Sequence, residues 1–177
     1  MIIWLASYPK SGNTWVRSII SSLIYTKDGI FDMKILSQIP QFPKISQFKD
    51  FSSKLDDIHI LKKYWIKAQE KINLDNKLYF FKTHNANIKI DTYPFTNNKN
   101  TAGTIYIVRD PRNIINSLGN HFDLSQEEAR NFLFSKEILS EKNKDNNKIL
   151  TLVGTWEEHY NSWTMNNDNL LLIKYED

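Results

Sequence analysis

Ile2–Ser7 is a short, mostly apolar run that ends on Tyr8-Pro9. Downstream, Trp15, Val16, Ile19, Ile20, Leu23 and Ile24 recur at the spacing of one helical face, which predicts a helix over residues 14–25. Between the two lies the polar segment Lys10-Ser11-Gly12-Asn13. A buried strand, a polar turn and a helix in that order form the repeating unit of a layered α/β fold. The turn also has the parts of an anion site. Gly12 permits close backbone approach, and the N–H groups that open the helix face a ligand. Ser11, Asn13 and Thr14 add donors, and Lys10 adds a mobile positive charge. It is not a Walker A loop, because the lysine precedes the glycine and no Gly-Lys-Ser/Thr follows it.

The same alternation continues. Residues 29–51 carry Pro40 and Pro43 among scattered aromatics and read as irregular, while residues 55–72 read as helical. Residues 78–82 form a second strand, followed by Thr83-His84-Asn85. Residues 91–103 are rich in Asn, Thr and Pro and read as loop. Residues 104–108 are a β-branched third strand ended by Arg109-Asp110-Pro111, with a helix expected over 113–122. Ser125 to Glu128 has the spacing of a capping box. Residues 137–148 read as polar linker, and residues 151–165 as a helix with Leu152, Trp156, Tyr160 and Trp163 on one face. Leu170–Lys174 is a last apolar strand, followed by Tyr175-Glu176-Asp177. These elements imply a three-layer α/β fold around a mostly parallel sheet, in which ligands bind beyond the carboxyl ends of the strands. All the polar motifs follow strands.

Composition narrows the partners. With 41% hydrophobic and 13% aromatic residues, the chain has the material for one domain core. A net charge of +3 is too small to mark a nucleic-acid surface but fits a local cationic pocket. Only four of the 23 basic residues are arginines, and two of them share Arg109-Asp110-Pro111-Arg112. There are no cysteines, which rules out disulfides and thiolate chemistry and suits a reducing cytoplasm. The N-terminal apolar run is too short for a signal h-region or a membrane span. No cluster with metal-ligand spacing stands out, so no metal is expected.

The segment Tyr8-Pro9-Lys10-Ser11-Gly12-Asn13-Thr14-Trp15 resembles the 5′-phosphosulfate loop of sulfotransferases that use 3′-phosphoadenosine 5′-phosphosulfate (PAPS). Every fixed position of Tyr-Pro-Lys-Ser-Gly-x-Thr-Trp matches. The variable position, often threonine in the cytosolic animal enzymes, is Asn13 here. The resemblance extends to Arg109 and Ser117, spaced like the family's element for the 3′-phosphate, and to Asp110-Pro111-Arg112 of bacterial members. It extends further to Lys82-Thr83-His84, and to the closing strand with Tyr175-Glu176-Asp177.

The resemblance implies a P-loop-NTPase-like sulfotransferase fold and roles for particular residues. Lys10 would contact the sulfuryl group and the leaving 5′-phosphate oxygen. Ser11, Gly12, Asn13 and Thr14 would hold that phosphate, with Trp15 against the adenine and Tyr175 near it. Arg109 and Ser117 would hold the 3′-phosphate. His84 would take the acceptor's proton, and Lys82 would assist through its charge. His59, His121 and His159 read as structural. The acceptor would be a small molecule or a glycan with a hydroxyl or amine. Residues 1–177 are expected to form a single cytoplasmic domain, incomplete at its C-terminus, because family members usually continue into a late basic loop. Two other readings stay open: a non-catalytic nucleotide-binding module of the same fold, and a small-molecule kinase.

Overall fold

A computed structural model describes residues 1–177 apart from Asp145, Asn166 and Asp177. In chain order its elements are β1 (Ile2–Ser7), α1 (Asn13–Tyr25), a 3₁₀ turn (Met33–Gln38), α2 (Ile45–Phe48), α3 (Ile58–Leu61) and α4 (Trp65–Ile72). These are followed by β2 (Tyr79–Thr83), β3 (Lys89–Ile90), β4 (Tyr93–Pro94), β5 (Thr101–Val108), α5 (Pro111–Phe122) and α6 (Gln126–Phe134). The chain continues through β6 (Glu137–Lys142), β7 (Lys148–Gly154), α7 (Trp156–Thr164) and β8 (Leu170–Lys174).

Four parallel strands form the central sheet in the order β2-β1-β5-β8. This is the expected α/β class. β1 is central and apolar on both sides, as a strand covered by layers on each face must be. Its alternate residues Ile2, Trp4 and Ala6 enter the main core with Phe42, Trp65, Phe95 and Trp163. Leu5 is buried on the opposite side of the strand, by the two-residue period of side chains. Trp4 is the hub of an aromatic cluster. Its ring lies 5.4 Å from Phe42, 5.5 Å from Phe95 and 6.2 Å from Trp163. Its Nε1 donates to Thr101 Oγ1 at 3.0 Å, so the buried indole is not left with an unpaired donor. No helix among the described residues is long and apolar enough to cross a membrane.

The structure differs from the sequence reading in four places. Residues 137–148 are not linker: β6 pairs antiparallel with β7, with Ile138 opposite Leu152 and Leu139 opposite Thr151. Accordingly, residues 148–154 are strand, and the expected helix opens only at Trp156. The stretch alternates, with Ile149, Thr151 and Val153 buried, while Leu150 and Leu152 pack on the main core. Leu152 sits four residues before Trp156, which mimics a helical step. The true start is signalled by Thr155 and Glu158, which form a capping box. The second difference is that the helix over 55–72 is broken, with Asp57 capping α3 and a 3₁₀ turn at Lys62–Tyr64 before α4. Third, within 29–51 the Met33–Gln38 turn and α2 are ordered, with Asp32 accepting from the Lys34 amide to open the turn. Fourth, β4 lies within 91–103 and β5 begins at Thr101, because pairing with β1 draws in residues that look polar in isolation.

The Trp4 cluster yields a stability prediction. Trp4→Ala should lower unfolding stability by about 3–5 kcal/mol, as large-to-small changes at fully buried aromatics do. Urea denaturation reads this as a lower midpoint. A loss under about 1 kcal/mol, the scale of a surface change, would remove Trp4 as the hub.

Candidate active site

The loop between β1 and α1 has an unusual backbone. Gly12 is left-handed with φ 92°, and so is Lys10 with φ 66°. A non-glycine residue in that region is uncommon and is held there by its surroundings. The Arg109 guanidinium supplies one restraint, donating from Nη1 to the Lys10 carbonyl at 3.1 Å. Tyr175 supplies another. A Cβ at position 12 would fall 2.2 Å from Cδ2 of Tyr175, so only glycine fits beneath that ring. Arg109 stacks on the same ring at 4.5 Å. α1 then opens on Gly12 with no side-chain cap, leaving its first N–H groups directed out of the helix.

Most of the residues singled out by sequence meet in one cavity of about 460 Å³. Lys10, Gly12, Asn13, Thr14 and Trp15 supply the loop side. His84, Arg109 and Tyr175 follow the ends of β2, β5 and β8, and Ser117 comes from the middle of α5. Ser11 is the exception. It is 1% exposed, lies beneath the wall, and its hydroxyl has no hydrogen-bond partner. Asn13 is present in an unexpected way. Its side chain is buried and donates to the Leu5 carbonyl at 2.9 Å and to Ser7 Oγ at 3.1 Å. What Asn13 offers an anion is therefore its backbone N–H.

Arg109 is not consumed by Asp110, whose carboxylate pairs instead with Arg112. The Arg109 Nε is buried without a hydrogen bond, and among the described residues the carboxylate oxygen within ion-pair reach of it, on Glu176, is 3.9 Å away. Glu176 instead accepts from the Asp110 amide and the Asn113 side chain. A guanidinium that lines the same cavity as uncapped helix amides is chemistry suited to an anion. Among the described residues, no group of three or more His, Asp or Glu is placed to hold a metal ion.

His84 faces the same cavity. Its Nδ1 lies 2.7 Å from the Ser7 carbonyl oxygen and 3.3 Å from the Ser7 hydroxyl. A carbonyl can only accept, so Nδ1 carries the hydrogen and Nε2 is the acceptor. Burial, and then the neighbouring Lys82, push the His84 pKa well below its usual value, so the ring is neutral near pH 7. Lys82 is itself lowered to about 8, mainly by burial and then by Arg17 and Lys10.

Three wall residues went unread or under-read in the sequence. Lys82 is a full member of the wall, and Ser18 and His121 join it. Ser18 is one helical turn beyond Thr14, and His121 one turn beyond Ser117, so four-residue spacing was the available signal. A second cavity of about 280 Å³ shares Lys10, Lys82, His84 and His121 with the first and runs on to Gln41, Glu141 and Thr151. The hairpin β6–β7 thus forms the far wall of the cleft. His159 is structural, as the sequence suggested. It is buried, accepts from Tyr106 Oη at 2.8 Å, and donates from Nε2 to the His84 carbonyl at 3.1 Å.

A family model described as Sulfotransferase domain matches residues 2–177. No curated protein matches the chain.

The imidazoles of His84 and His159 generate a pH prediction. Burial lowers the His159 pKa from 6.5 to about 3, and the His84 pKa falls in the same direction. Below 6.5 the unfolded chain therefore binds more protons than the folded one, so stability rises with pH and is lost on acidification. From pH 6.5 down to 5, before carboxylates contribute, His159 should bring the slope toward about 1.4 kcal/mol per pH unit, with His84 adding in the same direction. Urea midpoints across that range check this. His159→Gln, which keeps a donor toward His84, should flatten the slope. An equal slope in the variant would assign it elsewhere.

Proposed function

The chain belongs to the sulfotransferase domain family, and we propose that it transfers a sulfuryl group from PAPS to a hydroxyl or amine acceptor by in-line displacement. The observation that carries this reading is the convergence of Lys10, the α1 amides, Arg109, Ser117 and a neutral His84 on one cavity. The residues fit PAPS. The N–H groups at the start of α1, with Lys10, would hold the 5′-phosphosulfate. Arg109 and Ser117, which line the same cavity, would hold the 3′-phosphate. Trp15, which is 66% exposed, and Tyr175 offer faces for the adenine. When bound, PAPS supplies a sulfuryl group on a phosphate leaving group.

The chain's own part is positioning, proton transfer and charge stabilisation. His84 Nε2 takes the proton of the acceptor as its oxygen or nitrogen bonds to sulfur. Lys10 and the loop amides stabilise the negative charge that collects on the departing phosphate oxygen as its bond to sulfur breaks. Products are the sulfated acceptor and 3′,5′-adenosine bisphosphate. The second cavity, bordered by Gln41, Glu141 and Thr151, is the side from which an acceptor reaches His84. A reducing, cytoplasmic setting, which the absence of cysteine suits, would be compatible with such a donor.

Two experiments test this. Incubation with PAPS carrying labelled sulfate and a panel of small alcohols, phenols, amines and sugars should give labelled product with the wild type. His84→Ala should reduce turnover by about 10²–10⁴-fold, the range of general-base catalysis, and leave bisphosphate affinity in place. Undiminished turnover in that variant would take His84 out of the mechanism. Separately, calorimetric titration should show preference for 3′,5′-adenosine bisphosphate over adenosine 5′-monophosphate. Arg109→Ala should weaken binding of the bisphosphate alone, by at least about tenfold, given about 1.5–3 kcal/mol for a charged hydrogen bond. A variant that still prefers the bisphosphate as strongly would make Arg109 a structural prop. Preference for ATP in the wild type would favour a kinase instead.

A further inference from the structure

Asn13 has two faces in the structure. Its backbone stands at the first position of α1 on the cavity wall, while its side chain is 4% exposed and turned into the sheet. The orientation of the amide is determined: Nδ2 meets the Leu5 carbonyl, which can only accept, and also reaches Ser7 Oγ. Asn13 Oδ1 is left buried without a partner. An unpaired buried acceptor is destabilising, so packing alone does not account for this amide. The residue it braces, Ser7, is the one whose carbonyl and hydroxyl both lie against His84 Nδ1, at 2.7 and 3.3 Å.

We propose that Asn13 is a positioning residue for His84, tying the anion loop to the proton acceptor through Ser7. The proposal rests on the reading of His84 as that acceptor. Asn13 fixes the end of β1, the Ser7 carbonyl holds the hydrogen on Nδ1, and Nε2 is thereby kept as the lone-pair nitrogen facing the cavity. A loosened Ser7 would release the ring to the opposite tautomer, with hydrogen on Nε2, which cannot take a proton. Because the Asn13 N–H belongs to the helix opening that would hold the 5′-phosphosulfate, the donor loop and the base share one rigid support.

Asn13→Ala keeps the backbone N–H and removes only the brace. Bisphosphate affinity should stay at the wild-type level, while kcat falls by about 10- to 100-fold, the scale of a mispositioned catalytic group. The ¹⁵N resonances of His84 should move from the Nδ1–H toward the Nε2–H pattern. Ser7→Ala keeps the carbonyl, loses the hydroxyl that Asn13 grips, and should give a smaller change in the same direction. It decides the matter alone if Asn13→Ala does not fold. Unmoved His84 resonances in the folded variants overturn the proposal. So does a loss of bisphosphate affinity with His84 unchanged, which would make the Asn13 side chain an anion contact. If the wild type transfers no sulfuryl group, the functional reading fails, yet the His84 resonances still decide whether Asn13 positions it.

Discussion

β1 pairs with β2 so that Ala6 lies opposite Thr83, and with β5 so that Ser7 lies opposite Ile107. Three parallel strands therefore release their chains at the same edge of the sheet. The residues that follow are the Lys10 loop, His84 and Arg109. β8 joins in step, with Lys174 opposite Val108, and delivers Tyr175 beside Arg109. No local signal could bring together residues so far apart in sequence. The register does it, and a one-residue slip of β2 would turn His84 to the other face. The aromatic core around Trp4 is thus part of the site's geometry, because it sets how β1 sits between its neighbours.

The loop itself could not hold its shape alone. A left-handed Lys10 costs on the order of 1–3 kcal/mol, and the surrounding contacts must exceed that. Arg109 bonds the Lys10 carbonyl, and the Tyr175 ring covers Gly12. Arg109 thereby acts twice. One edge of its guanidinium restrains the loop and its face stacks on Tyr175, while its Nε remains unspent. A phosphate that took up Arg109 would be held by the same side chain that shapes the loop for a second phosphate. The two ends of the proposed bisphosphate site would be mechanically joined in this way.

Much of this was legible in the sequence where the signal was short and local. The strand, turn and helix at residues 2–25, the strand-end Arg109 and His84, and Ser117 one helix further on all took their expected places. The hairpin β6–β7 was not legible. Its two strands are each half polar, and only their pairing covers the backbone. Leu152 then fell in helical step with Trp156 by coincidence. Gly12 reads as permitting close backbone approach, and the structure adds two further demands that are not local signals, a φ of 92° and the Tyr175 ring above it. Asn13 was read as an anion donor because its type allows it. Which way a short amide points is decided by the carbonyl it finds, and here that is Leu5 in the sheet.

The electrostatics of the cleft depend on the order of two effects. Lys10, Lys82 and Arg109 gather on one wall although the whole chain carries only +3. Such a cluster lowers the pKa of any base beside it, and an incoming anion would cancel that part of the effect. Lys82, lowered to about 8 mainly by burial and then by Arg17 and Lys10, would be raised in part toward its ordinary value. His84 would be pulled the same way, toward protonation, which would disable it as a base. Burial is the larger cause of its lowered pKa, however, and Lys82 only the second. Neutralising the cations removes the smaller contribution and leaves the larger one. The arrangement can therefore attract a polyanion with its charge while keeping a neutral imidazole next to it, because burial is the larger cause of the lowered His84 pKa.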